Sequence, residues 1–153
     1  MTEQDILFMK LALDEAKKAS DIGEVPVGAV IVRDGEVVAC AYNRRECDKN
    51  ALSHAEVLAI SKACEKLGGW RLHQCELYVT LEPCPMCTGA IINSRIKRVV
   101  FGASDKKAGC MGSVVNLTEY PFNHKPEIVD GVLADESAQL LSDFFKNLRK
   151  REK

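Results

Sequence analysis

Nothing in this sequence approaches the ~20 consecutive apolar residues that span a bilayer. Its first residues, Met1-Thr2-Glu3-Gln4-Asp5, are acidic and lack the basic start of a secretory leader, which points to the cytoplasm. Internal repeats, low-complexity stretches and linkers are missing too, and 153 residues suit one domain. Even pairing of cysteines is lacking: there are seven, with no export signal. A disulfide framework is therefore not expected, and metal or catalytic use is. The formal net charge of −1 shows no overall basic excess of the kind that marks a nucleic-acid binder. Residues 1–40 hold eight acids against four bases, so the remainder is net basic. Much of that excess falls in the last eight residues, where Lys146, Arg149, Lys150, Arg151 and Lys153 face only Glu152.

What is present reads as alternating helices and strands. Thr2 to about Ser20 has a Thr2-x-x-Asp5 capping box and apolar Ile6, Met9, Leu13 and Ala16 at helical spacing. Val27–Arg33 and Glu36–Tyr42, joined by Asp34-Gly35, predict a hairpin. A second helix is expected from Ser53-His54-Ala55-Glu56 to Lys66, stopped by Gly68-Gly69. Leu77–Leu81 predicts a buried strand, and Pro83 and Pro85 open a third helix to about Asn93. Val99–Phe101 predicts a strand, residues 102–112 a glycine-containing loop, and the region of Ile128 a short strand. Ala134 to Lys150 reads as an amphipathic helix with Leu140, Leu141, Phe144, Phe145 and Leu148 on its apolar side. Such a sequence of elements implies an α/β layered domain with a mixed sheet.

Two segments carry chemistry: His54-Ala55-Glu56 and Pro83-Cys84-Pro85-Met86-Cys87. Zinc takes tetrahedral nitrogen and sulfur ligands, and a catalytic site uses three from the protein. His54, Cys84 and Cys87 supply three, and no second Cys-x-x-Cys exists to close a structural site. All three fall at predicted helix N-termini, where unpaired N–H groups favour thiolate. Two thiolates offset the charge of the ion, so a water beside it needs a base, and Glu56 lies two residues from His54. Glu56 is expected to take that proton and return it in turn to the group being hydrolysed.

Each residue also has a plainer reading. Ser53-x-x-Glu56 matches a capping box, and His54 alone suits any helix start. The cysteine pair alone fits a thiol redox site or half a structural zinc site. A non-catalytic zinc module would have no need of Glu56, and an oxidoreductase would work without metal. The basic tail fits a solvated helix end. At least one of Phe144 and Phe145 is expected in the core, Trp70 is expected to pack, and His73 is unassigned. Cys110 has no role, and as an exposed thiol it would be open to oxidation.

The order H-x-E…P-C-x-x-C is the known signature of zinc nucleobase deaminases. From Ile6 to Arg149 the sequence resembles the bacterial tRNA adenosine deaminases of the cytidine deaminase-like superfamily. The likeness is densest in Glu24–Val30, His54-Ala55-Glu56, Tyr78–Gly102 (with Thr80–Cys87 and Ser94-Arg95-Ile96), Leu133–Glu136 and Leu141–Phe145. The resemblance implies a three-layer α/β/α fold with a mixed sheet of about five strands over residues 1–153. It implies one zinc per subunit, a homodimer, and conversion of the wobble adenosine of a tRNA anticodon, chiefly that of an arginine tRNA, to inosine. It further implies that Asn43 hydrogen-bonds the flipped base and that the Ala55 backbone N–H lies near the reacting centre. Asp105 and Lys107 would lie by the anticodon-loop backbone, and His124, Phe145 and Arg149 would flank the loop. A small-molecule deaminase of guanine or cytidine type is the alternative within the superfamily.

Overall fold

A computed structural model describes residues 2–151; Glu152 and Lys153 of the basic tail lie outside the described residues. Helix α1 spans Glu3–Asp21, capped as expected: Asp5 N–H donates to the Thr2 hydroxyl and Thr2 N–H to the Asp5 carboxylate. Strands β1 (Gly28–Arg33) and β2 (Glu36–Tyr42) form the hairpin, with Asp34 (φ 52°) and Gly35 (φ 77°) both left-handed as a type I′ turn requires. Helix α2 (Ala55–Leu67) ends on left-handed Gly68. Then follow β3 (Cys75–Leu81), α3 (Pro85–Ser94), β4 (Arg98–Ala103), a 3₁₀ turn over Leu117–Glu119, β5 (Glu127–Val129) and α4 (Ala134–Arg151). No described helix is long and apolar enough to cross a membrane.

The five strands form one mixed sheet in the order β2-β1-β3-β4-β5. β1 runs antiparallel to β2 and β3; β3, β4 and β5 are parallel. Side chains alternate across the pleat, so each strand feeds two cores. Ala29, Ile31, Leu77, Val79, Val99 and Phe101 meet Ala55, Ala59 and Ala63 of α2 and Ile91 of α3. Val30, Val32, Tyr78 and Val100 meet Phe8, Met9 and Ala12 of α1, with α4 on β4 beside them. Three layers, α/β/α, result. β3 starts two residues before the predicted strand: Cys75 belongs to the buried period-2 set, but Glu76 interrupts the apolar run.

A buried polar clamp ties α1 to the middle of the sheet. Asp5 in α1 is 1% exposed. Arg98 in β4 donates to both of its oxygens at 2.8 Å, and the Tyr78 hydroxyl donates at 2.9 Å. The Arg98 guanidinium holds the Asp5 carboxyl well below the usual carboxylate range, although burial opposes it.

One expectation needs correcting. The apolar side of α4 is not a core face: Phe145 is 41% and Leu148 37% exposed, and Leu140, Leu141 and Phe144 are only half-buried. Among α4 residues only Ser137 is fully buried. Periodicity identifies the apolar stripe but not what covers it.

Candidate active site

The carboxyl ends of β3 and β4 and the first turns of α2 and α3 meet at one end of the sheet, where open α/β sheets bind ligands. His54 is the N-cap of α2 and Cys84 the N-cap of α3, and neither makes a side-chain capping bond. Cys87 stands one turn into α3. His54 Nδ1 lies 3.6 Å from Cys84 Sγ and 3.5 Å from Cys87 Sγ, and all three ligand atoms lie within 4.8 Å of one another.

These distances suit a metal. Tetrahedral zinc with Zn–S ≈ 2.3 Å and Zn–N ≈ 2.05 Å places sulfur and nitrogen about 3.6 Å apart. The S₂N donor set is one zinc favours, and it leaves one of four positions open. Electrostatics agree. The two thiols titrate as a pair: hydrogen bonding from Cys87 holds Cys84 down at about 4, against the burial that opposes it. The same bond, with burial, pushes the Cys87 thiol up. Hydrogen bonding to Cys84 raises His54 despite its partial burial. A divalent cation can take the place of the protons these groups share.

Glu56 is the second residue of α2 and only 4% exposed. Burial pushes its carboxyl up to about 7, a value that lets one group both accept and donate a proton near neutrality. The Ser53-x-x-Glu56 capping box does not form, because the cap is His54 and Glu56 turns into a cavity. That cavity, about 230 Å³, is lined by His54, Glu56 and Cys84 together with Asn43, Asp105, Val25, Val27, Arg45, Leu81, Glu82 and Ala108. It is below the range of drug-sized sites and suits one flat heterocycle. Asn43 is pinned at both ends of its amide: Nδ2 donates to Val25 O at 3.2 Å, and Oδ1 accepts from Arg45 N–H at 3.1 Å. Ala55, buried, opens α2 and leaves its N–H among the unpaired donors of the first turn.

The remaining sequence candidates lie elsewhere. Lys107 is exposed beside the cavity, its backbone N–H donating to Asp105 Oδ1 at 3.0 Å. Phe145 and Arg149 are exposed on α4 and do not line the cavity. The last turns of α4 instead lie beside Ser20 at the end of α1 and Gly23 in the connection that leads to Val25. His124 does not line this cavity either. It lies with Arg71, His73 and Arg95 in a separate cavity beyond the opposite end of α3. Cys110 is buried (4% exposed), its thiol donating to Ala108 O, so the exposed, oxidisable thiol is not found. Trp70 does not pack inside; it is 55% exposed.

Sequence reasoning missed two buried acids that shape the site. The Glu82 carboxylate, 2% exposed, accepts N–H groups of Asp105 (3.0 Å), Met111 (3.0 Å) and Ser113 (3.1 Å), and the Ser113 hydroxyl. Burial works against this charge, but the four donors outweigh it and lower its pKa. Gly109 is required here, because a Cβ would run into the Glu82 carboxylate. On the other wall, Glu24 accepts from Glu46 and Cys47 N–H and so fixes the loop after β2. Both acids fall in segments of dense family likeness, but their residue type beside an apolar strand end did not reveal what they hold.

Residues 2–149 match the model of the MafB19-like deaminase family. A tRNA-specific adenosine deaminase of Bacillus subtilis (strain 168) is 55% identical over 98% of this chain and 94% of its own length. That of Aquifex aeolicus (strain VF5) is 50% identical over 93% and 94%. A solved tRNA:A34 deaminase, studied for A-to-I editing at the wobble position of transfer RNA, superposes with TM-score 0.85 at 46% identity, over 88% of this chain and 98% of that one. A guanine deaminase from Bacillus subtilis shares the fold less closely, with TM-score 0.64 at 32% identity over 98% and 95%. With matches of this strength along nearly its whole length, the chain belongs to the tRNA-specific adenosine deaminase family, on a cytidine deaminase-like fold.

Proposed function

We propose that this protein hydrolyses the exocyclic amine of the wobble adenosine in a tRNA anticodon, an arginine tRNA foremost, leaving inosine and ammonia. The observation that carries the reading is the buried Glu56 carboxyl sharing one small cavity with His54, Cys84 and Asn43. The names and identities of the relatives favour tRNA over a free base.

His54, Cys84 and Cys87 would hold one zinc ion. Bound there, zinc supplies the Lewis acidity that brings the pKa of a water toward ~7. The chain's own residues do the rest. Glu56 takes the proton of the attacking water, delivers it to the ring nitrogen next to the amine-bearing carbon, and then moves a second proton to the departing ammonia. Burial, which raises its pKa, favours that alternation. Asn43, held by Val25 and Arg45, retains an N–H for the base edge, and the Ala55 N–H offers a donor beside the reacting carbon. An anticodon loop is already single-stranded, so turning its base into the cavity costs less than from a duplex. Asp105 and Lys107 at the cavity rim, and Phe145 and Arg149 on α4, would bear on the flanking nucleotides. His124, in a separate cavity, would meet the RNA farther from the reacting base.

The same reading takes residues 1–153 as one deaminase domain acting in the cytoplasm as a homodimer. Exposed Val114, Tyr120 and Phe122 support self-association. The test is a synthetic anticodon stem–loop carrying adenosine at the wobble position, offered beside free adenosine and guanine to zinc-loaded protein. Inosine in the hairpin alone supports the proposal; turnover of guanine without the hairpin overturns it.

A further inference from the structure

A second cavity, about 280 Å³, is lined by Arg71, His73, Arg95 and His124. All four lining groups are basic. The cavity sits at the far end of α3 from Cys84, about 16 Å away by the rise of an eleven-residue helical step. It belongs to no part of the deamination chemistry.

The cluster is built rather than scattered. Trp70, exposed, holds the Arg71 guanidinium 5.1 Å and the Arg95 guanidinium 5.5 Å from its ring centroid, both within cation–π range. Arg95 sits in the left-handed region (φ 65°) at the C-cap of α3, a place that favours glycine. A large cationic side chain there carries backbone strain, which points to a use for it. Its Nη1 donates to Ile92 O (2.8 Å) and Asn93 O (3.1 Å). That answers the negative end of the helix and leaves three N–H donors. His124 Nε2 lies 2.7 Å from Ile96 O, which fixes its ring. Among the described residues, none of the four groups has a carboxylate within 4.0 Å, although Arg33, Arg44, Arg45 and Arg98 all have one. Two guanidiniums without a carboxylate partner, converging with two imidazoles on a concave surface in a chain of net charge −1, call for an anion from outside.

We infer that Arg71, His73, Arg95 and His124 form a phosphate-binding site that takes the sugar-phosphate backbone of the RNA at a distance from the nucleotide being deaminated. The inference rests on the RNA reading above. Guanidinium forks recognise phosphate bidentately. At about 3.4 Å per stacked nucleotide, 16 Å is the reach of roughly five nucleotides. The site therefore holds stem phosphates and contributes affinity, not chemistry.

The experiment measures binding of a fluorescent anticodon stem–loop by anisotropy at several salt concentrations, with single-turnover inosine formation at saturating RNA alongside. Arg71→Ala/His73→Ala removes a guanidinium and an imidazole that lie outside the sheet and helices, so the fold is kept. Affinity should fall about tenfold and the log–log salt slope by about 1 to 2, with the saturated rate unchanged and partial recovery in Arg71→Lys. An unchanged affinity and slope overturns the inference while leaving the deaminase reading intact. Wild-type protein that binds the hairpin with the expected slope difference but forms no inosine sinks the deaminase reading and upholds this site. Failure of the wild type to bind the hairpin sinks both.

Discussion

Glu82 offers a sharp test of how the cavity wall is built. One oxygen of its carboxylate accepts from Met111 and Ser113 N–H, the other from Asp105 N–H and the Ser113 hydroxyl. In Glu82→Gln the amide oxygen can keep Met111 and Ser113. Its NH₂ then faces the other pair, where only the hydroxyl can turn to accept, and Asp105 N–H loses its partner. An unsatisfied buried donor costs about 1–3 kcal/mol, so Glu82→Gln should lose about that much stability. Glu82→Ala strands three N–H groups and should lose at least about 3 kcal/mol. A domain with the usual 5–15 kcal/mol survives either change. Urea unfolding gives the totals, and amide hydrogen exchange locates them: the Asp105 amide should lose protection in both variants, Met111 only in Glu82→Ala. If Glu82→Gln unfolds at the wild-type midpoint with Asp105 still protected, the carboxylate does not organise this loop.

Three further outcomes follow from the same geometry. Asp5 is held below its ordinary pKa by Arg98, so its stabilisation is fully present above about pH 4 and lost as pH falls through the depressed folded value. Asp5→Asn should cost about 3–5 kcal/mol at neutral pH and flatten the stability–pH curve on the acid side; an equally steep curve in the variant would refute the clamp. His54→Ala should abolish stoichiometric zinc in elemental analysis, whereas Glu56→Gln should retain it. Zinc retained by His54→Ala would show that His54 is not a ligand. Phe145→Ala, at an exposed position, should change stability by less than about 0.5 kcal/mol yet weaken hairpin binding by about 1–3 kcal/mol if the ring stacks on a base. A stability loss without a binding loss would return Phe145 to a packing role.

Local features were legible in the sequence because their causes are local. The Thr2–Asp5 box, the Asp34-Gly35 turn and the α2 stop at Gly68 each depend on residues within a few positions. The cluster that could hold a metal was legible because His54, Cys84 and Cys87 sit at helix starts that strand-to-helix order brings together. What escaped depends on distant packing. Glu82 reaches partners 23 to 31 residues away, and Cys110 is buried because that same loop folds over it. The family resemblance set His124 beside the substrate loop and Trp70 was expected to pack; only the fold shows His124 in a basic cavity on the far side of α3 and Trp70 against two of its arginines.

The central claim is tested most directly by incubating zinc-loaded protein with total bacterial tRNA and sequencing the anticodons, with Glu56→Ala as the paired control. The account predicts adenosine-to-inosine change at the wobble position of one tRNA, lowered by at least about 10²-fold in the variant. No inosine from folded, zinc-loaded protein, or equal inosine from Glu56→Ala, would contradict it.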